Sequence, residues 1–333
     1  MRILGIESSC DDTAAAVVED GRKVLAAERL SSAMLQRRFG GVVPEVAARE
    51  HTMAILPVVQ TVLESQGFGP GDIDAVAVTQ GPGLLGALLV GVTFAKALAF
   101  AWQKPVIGVH HLEGHLYANA LVAPIQFPAL ALIVSGGHTS LVYWRSHGQL
   151  QVLGSTRDDA AGEALDKGAR LLGMGYPGGP EIERLAGEVQ HTPTLSLPVA
   201  RLDPASLDFS FSGVKTATAE LVRRYPDRRA EVAQALQQAV VEALVGNLIR
   251  AWQRHPTDHV YAAGGVTANQ RLAERLKAWG QETGVSIHIP PIQYCTDNAA
   301  MVAAAAYYRW QMGSRMGLDE GPKTPWALAE AYP

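Results

Sequence analysis

Two histidines four residues apart, in the stretch His111-Leu112-Glu113-Gly114-His115, are the first candidates for chemistry in this chain. On a helix, residues i and i+4 lie on the same face, so two imidazoles at this spacing can bind one cation. Asp297 is a candidate third ligand, and mixed nitrogen and oxygen ligands with open positions suit Fe(II) or Zn(II). Histidines that satisfy their hydrogen bonds within the core are the alternative explanation of the pair.

A zinc-protease interpretation of this pair fails on geometry. The motif His-Glu-x-x-His needs the general base directly after the first histidine. Leu112 holds that place here, and Glu113 lies about 100° further around the helix. We interpret His110 as a strand-end residue rather than a ligand, and Cys295 as a soft alternative ligand close to Asp297.

Three glycine or small-residue turns could bind an anion through backbone N–H groups. One is Ser135-Gly136-Gly137-His138-Thr139, between two predicted strands, and another is the 264–269 turn, between a strand and a helix. The third precedes Thr13 and contains Asp11. An ordinary hairpin, or a tight turn with Thr267 as helix N-cap, explains each turn alone. Together they favour a phosphate-binding constellation beside a metal, which suggests group transfer from a nucleotide.

Composition describes an ordinary globular protein. The chain has 333 residues, 48% hydrophobic and 18% charged, with a net charge of −4, which argues against a broad electrostatic surface for nucleic acid. Arginine pairs such as Arg37-Arg38 and Arg223-Arg224 are compatible with a small, local surface for nucleic acid. Two scattered cysteines and an N-terminus that is patterned as a strand predict a cytoplasmic protein. The apolar run 84–102 is predicted to be a buried helix rather than a membrane span.

Alternating strands and helices predict an α/β fold, and a similar order of elements restarts near residue 129. We therefore predict a duplication with two lobes. Residues 1–125 form the N-terminal lobe with the histidine pair, and residues 126–333 form a C-terminal lobe with a helical insertion and a final helix that returns to the cleft. The Pro- and Gly-rich stretch 174–212 is predicted to be irregular, and the tail after Gly317 to be loosely held.

From residue 3 to about residue 306 the sequence resembles the tRNA N6-adenosine threonylcarbamoyltransferase family (TsaD), once described as O-sialoglycoprotein endopeptidases. The resemblance implies the duplicated actin/Hsp70/sugar-kinase fold. Asp12 stands where family members usually have glutamate. The stretches that carry the resemblance are 5–11, 80–84, 110–118, 134–139, 162–180, 209–215, 264–269 and 295–299.

The resemblance also implies site residues. His111, His115 and Asp297 would bind one divalent metal, with Fe(II) favoured and Zn(II) as the alternative. Asp11 is our choice for a base or an amine-orienting group. From local sequence alone, Asp166 is explained equally well by binding a ribose or an ammonium group and by pairing on its helix surface. The residues implied to bind substrate are Val134, Ser135, Gly136, Gly137, His138, Asp166, Gly179, Glu183 and Asn269.

The implied reaction is transfer of a threonylcarbamoyl group from threonylcarbamoyl-AMP to the exocyclic amine of the tRNA adenine adjacent to the anticodon. The implied partners are tRNA, a shorter inactive paralogue (TsaB-like) and a P-loop ATPase (TsaE-like), without a membrane. The helix that includes residues 46–63 is a candidate partner surface. An ATP-dependent small-molecule kinase or ATPase of the same fold, a metal-dependent endopeptidase and a non-catalytic tRNA scaffold are the competing hypotheses.

Overall fold

The fold is described from a computed structural model, and residues 1–189, 194–199, 202–203 and 205–332 are the described part of the chain. The strands are β1 (Arg2–Glu7), β2 (Asp12–Glu19), β3 (Lys23–Ser31), β4 (Ala75–Gly81), β5 (Val106–His110), β6 (Ala129–Val134), β7 (Thr139–Ser146), β8 (Gln149–Ser155), β9 (His259–Ala263) and β10 (Ser286–His288).

The helices are α1 (Ala33–Gln36), α2 (Pro44–Glu64), α3 (Leu85–Trp102), α4 (His111–Tyr117), α5 (Ala161–Leu171), α6 (Gly178–Ala186), α7 (Ser212–Arg224), α8 (Arg229–Arg254), α9 (Gln270–Thr283), α10 (Ile292–Cys295) and α11 (Ala299–Gln311). Short 3₁₀ turns span Arg37–Phe39, Pro70–Asp72, Ala118–Leu121, Gly265–Ala268 and Leu328–Glu330.

The chain divides into two compact units. The first contains residues 1–125, 147–149 and 293–333, and the second contains residues 126–146 and 150–292. Residues 293–333, which the sequence analysis placed with the second lobe, thus pack with the first unit. The cause is α11, whose alanine-rich surface packs against β1 and α4.

Each unit contains a five-stranded mixed sheet, and the two sheets have the same topology. The orders are β3-β2-β1-β4-β5 and β8-β7-β6-β9-β10. In both sheets the first two strands form an antiparallel pair. In the first sheet β3 pairs antiparallel with β2, and β4 and β5 add in parallel on the other side; β9 and β10 add in parallel in the second sheet. Strands such as β4 and β6 are buried at every residue, which explains their continuous apolar runs. The predicted α/β duplication is confirmed in this order of elements.

Two sequence-based predictions about irregular segments are wrong, the first of them only in part, since the described residues between α6 and α7 form no helix or strand. The stretch 174–212 contains α6, whose buried Ile182 and Ala186 pack into the core of the second unit; part of this stretch lies outside the described residues. The tail after Gly317 is held by the first unit. Lys323 N donates to Gln80 O at 2.8 Å, and Trp326 is buried. Single aromatic and small side chains anchor this tail, so it has no periodic pattern.

Two helices within the described ranges are long and apolar enough to cross a membrane, judged by length and composition. They are α3, whose most apolar window is 33% buried, and α8, whose window is 72% buried. The long helix α8 is a core helix of the second unit. The helix α3 packs on α2 and β4, but it is less buried than predicted and exposes Leu85, Leu89 and Phe100.

Candidate metal centre and substrate site

The histidine helix α4 begins immediately after β5, and His110 explains why it begins there. The His110 Nδ1 atom accepts a hydrogen bond from Leu112 N at 3.2 Å and so caps the helix. Its Nε2 atom lies 3.1 Å from Trp326 O. His110 therefore ends the strand and starts the helix, as expected, and His111 and His115 occupy one face of the seven-residue helix.

Asp297 is positioned by the start of α11. Asn298 caps this helix by accepting a hydrogen bond from Met301 N at 2.9 Å. The helix lies directly against β1, because a Cβ atom at Gly5 would come within 2.4 Å of Ala299 O. Glycine at residue 5 thus lets the helix backbone approach the strand, and this approach places Asp297 beside α4.

The structure brings the three predicted ligands together in the first unit. Asp297 Oδ1 lies 3.5 Å from His111 Nε2 and 3.2 Å from His115 Nε2. One ligand atom from each residue falls within 4.8 Å of the others. His115 is fully buried, its Nε2 atom faces Asp297, and its Nδ1 atom makes no hydrogen bond within the described part of the chain. Buried polar atoms without hydrogen bonds are rare, so this donor set fits a metal ion.

A buried carboxylate at the end of β1 orients His111. Glu7 Oε2 lies 3.3 Å from His111 Nδ1, while Ser9 Oγ lies 3.1 Å from the same nitrogen. Glu7 is fixed in turn by Ser9 N at 2.6 Å and by Thr79 Oγ1 at 2.6 Å. This arrangement directs His111 Nε2 towards Asp297. The sequence analysis did not identify this role of Glu7. The feature that could have indicated it is a carboxylate at the end of a buried strand.

The charges around this donor set favour a cation. Burial disfavours the imidazolium of His111, but Asp297 and Glu7 more than offset it and raise its pKa to about 9. Burial also opposes ionisation of Asp297, yet His111 and His115 hold the pKa of Asp297 well below its usual range. Carboxylates held ionised beside two imidazoles can compensate the charge of a divalent ion.

Asp11 and Asp12 add negative charge near these ligands. Burial, together with the charge of Asp297, raises the pKa of Asp11. Burial, Asp297 and Asp11 raise the pKa of Asp12 to about 6, although Ser31 and Arg29 act in the opposite direction. Arg29 Nη1 lies 3.5 Å from Asp12 Oδ2 and donates to Thr296 Oγ1 at 2.8 Å. Asp12 is therefore tied to the Asp297 loop through Arg29, and both Asp11 and Asp12 are half-buried.

In the second unit, residues 134–138 form the tight turn between β6 and β7. Ser135 N donates to His138 O at 2.8 Å, and His138 N donates to Ser135 Oγ at 3.2 Å. Gly136 and Gly137 are exposed and have open space where a Cβ atom would be. Gly264 (φ +95°) passes this turn closely, since a Cβ atom there would lie 2.4 Å from Val134 O. The two glycine turns of the second unit are thus adjacent.

The remaining predicted substrate residues are linked through backbone groups of the same unit. Asp166 Oδ1 accepts from Gly178 N at 2.6 Å, and burial raises its pKa although the N–H groups of Gly178 and Gly179 lower it. Glu183 Oε1 accepts from Gln270 N at 2.7 Å. Asn269 caps α9 through Leu272 N at 3.0 Å. Asn269, not Thr267, is thus the N-cap of this helix.

A cavity of about 760 Å³ adjoins Glu183 and the start of α9 in the second unit. Its wall includes Gln234 and Gln237 of α8, and Gln237 is 7% exposed. The cavity therefore offers amide groups and apolar surface together. Sequence reasoning gave no signal for it, because its wall comes from three separate helices and the 195–199 segment.

Comparison with protein families shows that the sequence profile described as "TsaD: tRNA N6-adenosine threonylcarbamoyltransferase" matches residues 23–304. Curated proteins of that name from three bacteria are similar to this chain. The protein from Bacillus cereus is 51% identical, over 95% of this chain and 93% of its own length. That from Symbiobacterium thermophilum is 51% identical (95% and 94%), and that from Geobacillus thermodenitrificans is 49% identical (97% and 96%).

Solved structures are similar in fold. HypF from T. kodakarensis matches with a TM-score of 0.63 and 12% identity, over 94% of this chain and 48% of that one. Component A of the (R)-2-hydroxyglutaryl-CoA dehydratase from Acidaminococcus fermentans matches with a TM-score of 0.56 and 16% identity, over 93% and 98%. At these identities the likeness concerns the fold alone, and the duplicated actin/Hsp70/sugar-kinase fold is confirmed.

Proposed function

Because the chain belongs to the tRNA N6-adenosine threonylcarbamoyltransferase family, we propose that it transfers a threonylcarbamoyl group from threonylcarbamoyl-AMP to the exocyclic amine of the tRNA adenine adjacent to the anticodon. The observation that carries this proposal is 51% identity over 95% of the chain with curated transferases, together with the His111–His115–Asp297 cluster. A small-molecule kinase of the same fold is not favoured, since it gives this cluster no task.

The bond changes require little from the protein beyond positioning. The adenine N6 atom attacks the carbamoyl carbon, a C–N bond forms, and the C–O bond to AMP breaks with the electron pair leaving on AMP. The N6 proton goes to a base, and Asp11 is our choice because it is half-buried and its pKa is raised. No covalent enzyme intermediate is needed, because the adenylate is already activated. Trapping a carbamoylated enzyme during turnover would refute this direct attack.

His111, His115 and Asp297 would hold the metal, which we propose is Fe(II), with Zn(II) as the alternative. When bound, a divalent ion supplies Lewis-acid polarisation of a carbonyl or orients the threonyl portion. The protein's own contribution is orientation. Glu7 and Ser9 fix the ring of His111, and the caps at His110 and Asn298 fix the two helices that carry the ligands.

Residues of the second unit are suited to bind the AMP portion. The N–H groups of Gly136 and Gly137, in the 134–138 turn, are suited to donate to phosphate or ribose oxygens, while the N–H group of Gly179 holds the carboxylate of Asp166. Asp166 and Glu183 can accept from ribose hydroxyls, and Asn269 can contact the nucleoside at the start of α9. The cavity beside Glu183 supports this assignment, because amide groups such as Gln237 can pair with the edges of a base.

We propose the helical surface of α2 and α3 as the docking site of the shorter paralogue. On α3, Leu85, Leu89 and Phe100 are 55%, 46% and 73% exposed, and on α2, Met53 and Leu56 are 66% and 51% exposed. An apolar surface of this kind on a globular protein usually marks a protein contact. The P-loop ATPase is the further proposed partner, and the proposed location is the cytoplasm.

The experiment that tests the function supplies threonylcarbamoyl-AMP and unmodified tRNA to the protein with the two proposed partners. The tRNA is digested, and threonylcarbamoyladenosine is sought by mass. We expect product with wild type and with the control His259→Ala, which changes a half-buried histidine of the second unit. We expect none with His111→Ala.

Three outcomes contradict the proposal. Transfer retained in both His111→Ala and Asp297→Ala would favour a non-catalytic scaffold. No product from metal-loaded wild type with its partners, together with ATP hydrolysis in the absence of tRNA, would favour the kinase-like alternative. Cleavage of a polypeptide by the metal-loaded protein would return the endopeptidase hypothesis.

A further inference from the structure

The connection between β3 and α2, residues 32–43, exposes a group of side chains that the proposed chemistry does not use. It contains α1 and the 3₁₀ turn Arg37–Phe39. Met34 is 79% exposed and Phe39 is 56% exposed, and the two arginines beside Phe39 are exposed as well. We call residues 32–43 the arginine segment.

The arginine segment is anchored to the first unit by a buried side chain. Gln36 is fully buried, and its Oε1 atom accepts from Val43 N at 2.9 Å. Gly41 N donates to Gln36 O at 3.4 Å, and Gly40 N donates to Arg37 O at 3.1 Å. Because Gln36 points inward and closes the loop, the next three residues, Arg37–Phe39, are presented outward.

The segment is attached to the proposed base of the reaction. Ser32 donates to Asp11 O twice, from its backbone N at 3.0 Å and from its Oγ at 2.8 Å. An adenine whose amine reaches Asp11 therefore belongs to an RNA strand that passes close to Ser32, where this segment begins. The nucleotides flanking that adenine need a protein surface that can bind single-stranded RNA.

The chemistry of the segment matches such a strand. Residues 32–43 contain Arg37 and Arg38 and no acidic residue, so the segment is positively charged although the whole chain has a net charge of −4. Arginine side chains bind phosphates, and an exposed aromatic ring stacks on unpaired bases. The exposed face of α3 has leucines and a phenylalanine without an arginine pair, which suits a protein partner better than RNA.

We propose that the arginine segment is a tRNA-binding surface that contacts nucleotides flanking the acceptor adenine. Arg37 and Arg38 bind backbone phosphates, and Phe39 stacks on an unpaired base. The inference rests on the proposed function, since it takes tRNA to be the acceptor.

The test uses the full-length protein assembled with its partners and an unmodified tRNA. We would compare wild type, Arg37→Gln/Arg38→Gln, Phe39→Leu and Phe39→Trp. The matched control is Arg223→Gln/Arg224→Gln, a second exposed arginine pair at the end of α7. Equilibrium tRNA binding is measured at several salt concentrations, and the KM values for tRNA and threonylcarbamoyl-AMP are measured separately.

We expect the arginine variant to bind tRNA more weakly. The slope of the logarithm of the binding constant against the logarithm of the salt concentration should become less steep by about 1.4, which corresponds to the loss of two single-strand phosphate contacts. Phe39→Leu should raise the KM for tRNA by about 5-fold or more, which corresponds to the lower end of the free energies found for stacking of one base on an aromatic side chain. Phe39→Trp should retain binding, because it keeps an aromatic ring. The KM for threonylcarbamoyl-AMP should be unchanged in all these variants, and the control variant should bind tRNA as wild type does.

Unchanged tRNA binding in the arginine and Phe39→Leu variants would overturn the inference, and so would an equal loss in the control. Loss of a partner protein from the assembly, with tRNA affinity intact, would show instead that the segment binds protein. If wild type makes no modified nucleoside, the proposed function fails on its own, and the binding measurements still decide whether this segment contacts tRNA.

Discussion

Arg309 and Glu113 form a buried ion pair beneath the histidine helix, with Arg309 Nη1 donating to Glu113 Oε2 at 2.7 Å. Two residues along a helix turn it by about 200°, so Glu113 faces away from both His111 and His115. Arg309 Nη1 also donates to Ala331 O at 3.0 Å, and Tyr332 Oη donates to Glu113. The C-terminal tail and α11 thus fix the face of α4 that does not face the metal site.

Breaking one half of this ion pair should cost more than removing both halves. We expect Arg309→Met to lower the free energy of unfolding by about 3–5 kcal/mol, because it leaves a buried carboxyl group without its partner. The double variant Arg309→Met/Glu113→Leu should recover part of this loss. Urea unfolding of both singles and the double measures the coupling, with the exposed Arg315→Met as control. Additive losses in the double variant would contradict a specific pair.

The role of Glu7 predicts an effect on metal affinity without loss of the ligands themselves. Glu7→Gln keeps the shape of the side chain but removes the charge beside His111 Nδ1, so we expect metal affinity to fall about 10- to 100-fold. Chelator competition with Fe(II) or Zn(II) measures this, with the exposed Glu45→Gln as control. His115→Ala should remove binding, and chelation should lower the melting temperature of wild type but not of His115→Ala. Equal affinity in Glu7→Gln and wild type would show that this carboxylate does not orient the ligand.

Local sequence patterns predicted the parts of the site that depend on short spacing. The i, i+4 pair His111 and His115 lies on one helix face because α4 starts directly at His111. The glycine turns lie between the elements that the patterns placed around them. Asp297 was predicted as a ligand from its residue type and from resemblance, and the close packing of α11 on Gly5 is what brings it there.

Contacts between residues distant in sequence could not be predicted. Glu7 and His111 are 104 residues apart, and Glu113 and Arg309 are 196 residues apart, so no local pattern pairs them. The helix α6 was missed because prolines and glycines surround it, although its Ile182 and Ala186 are spaced for one buried face. Helix propensity describes an isolated segment, whereas packing against the core of the folded unit decides whether that segment becomes a helix.

The close approach of Gly264 to β6 predicts that this glycine fixes the conformation of the 134–138 turn, which we propose binds the substrate. In Gly264→Ala the new Cβ atom would lie 2.4 Å from Val134 O at a φ of +95°. Gly284→Ala is the matched control, since φ is +78° there and a Cβ atom meets open space. We expect the control to lose about 1–2 kcal/mol of unfolding free energy from backbone strain alone.

Gly264→Ala should lose about 1–3 kcal/mol more than the control, because the backbone of β6 has to shift. It should also raise the KM for threonylcarbamoyl-AMP, whereas Gly284→Ala should not. Urea unfolding and transfer kinetics measure the two effects. Equal stability losses with an unchanged KM in both variants would mean that the 134–138 turn does not depend on this contact.

Asp158 predicts an acid-sensitive contribution to the stability of the second unit. It accepts from Phe211 N at 2.7 Å, from Ser210 Oγ at 2.5 Å and from Ser212 Oγ at 2.8 Å, and so fixes the start of α7. Burial is the largest single influence on Asp158 and opposes its ionisation, but the hydrogen bonds from residues 210–212 together outweigh it and lower its pKa below the ordinary value of 3.8.

Because the folded-state pKa of Asp158 is lowered, the unfolded chain binds the proton first as the pH falls. The stabilisation is therefore present above about pH 4 and is lost as the pH falls through the folded-state pKa. We expect Asp158→Asn to lower the free energy of unfolding by about 1 kcal/mol at pH 6, a value reduced by solvent exposure, and by less at pH 3.5. Urea unfolding at both pH values measures this, with the exposed Asp227→Asn as control. A difference that persists unchanged at pH 3.5 would assign the effect to the shape of the side chain rather than to its charge.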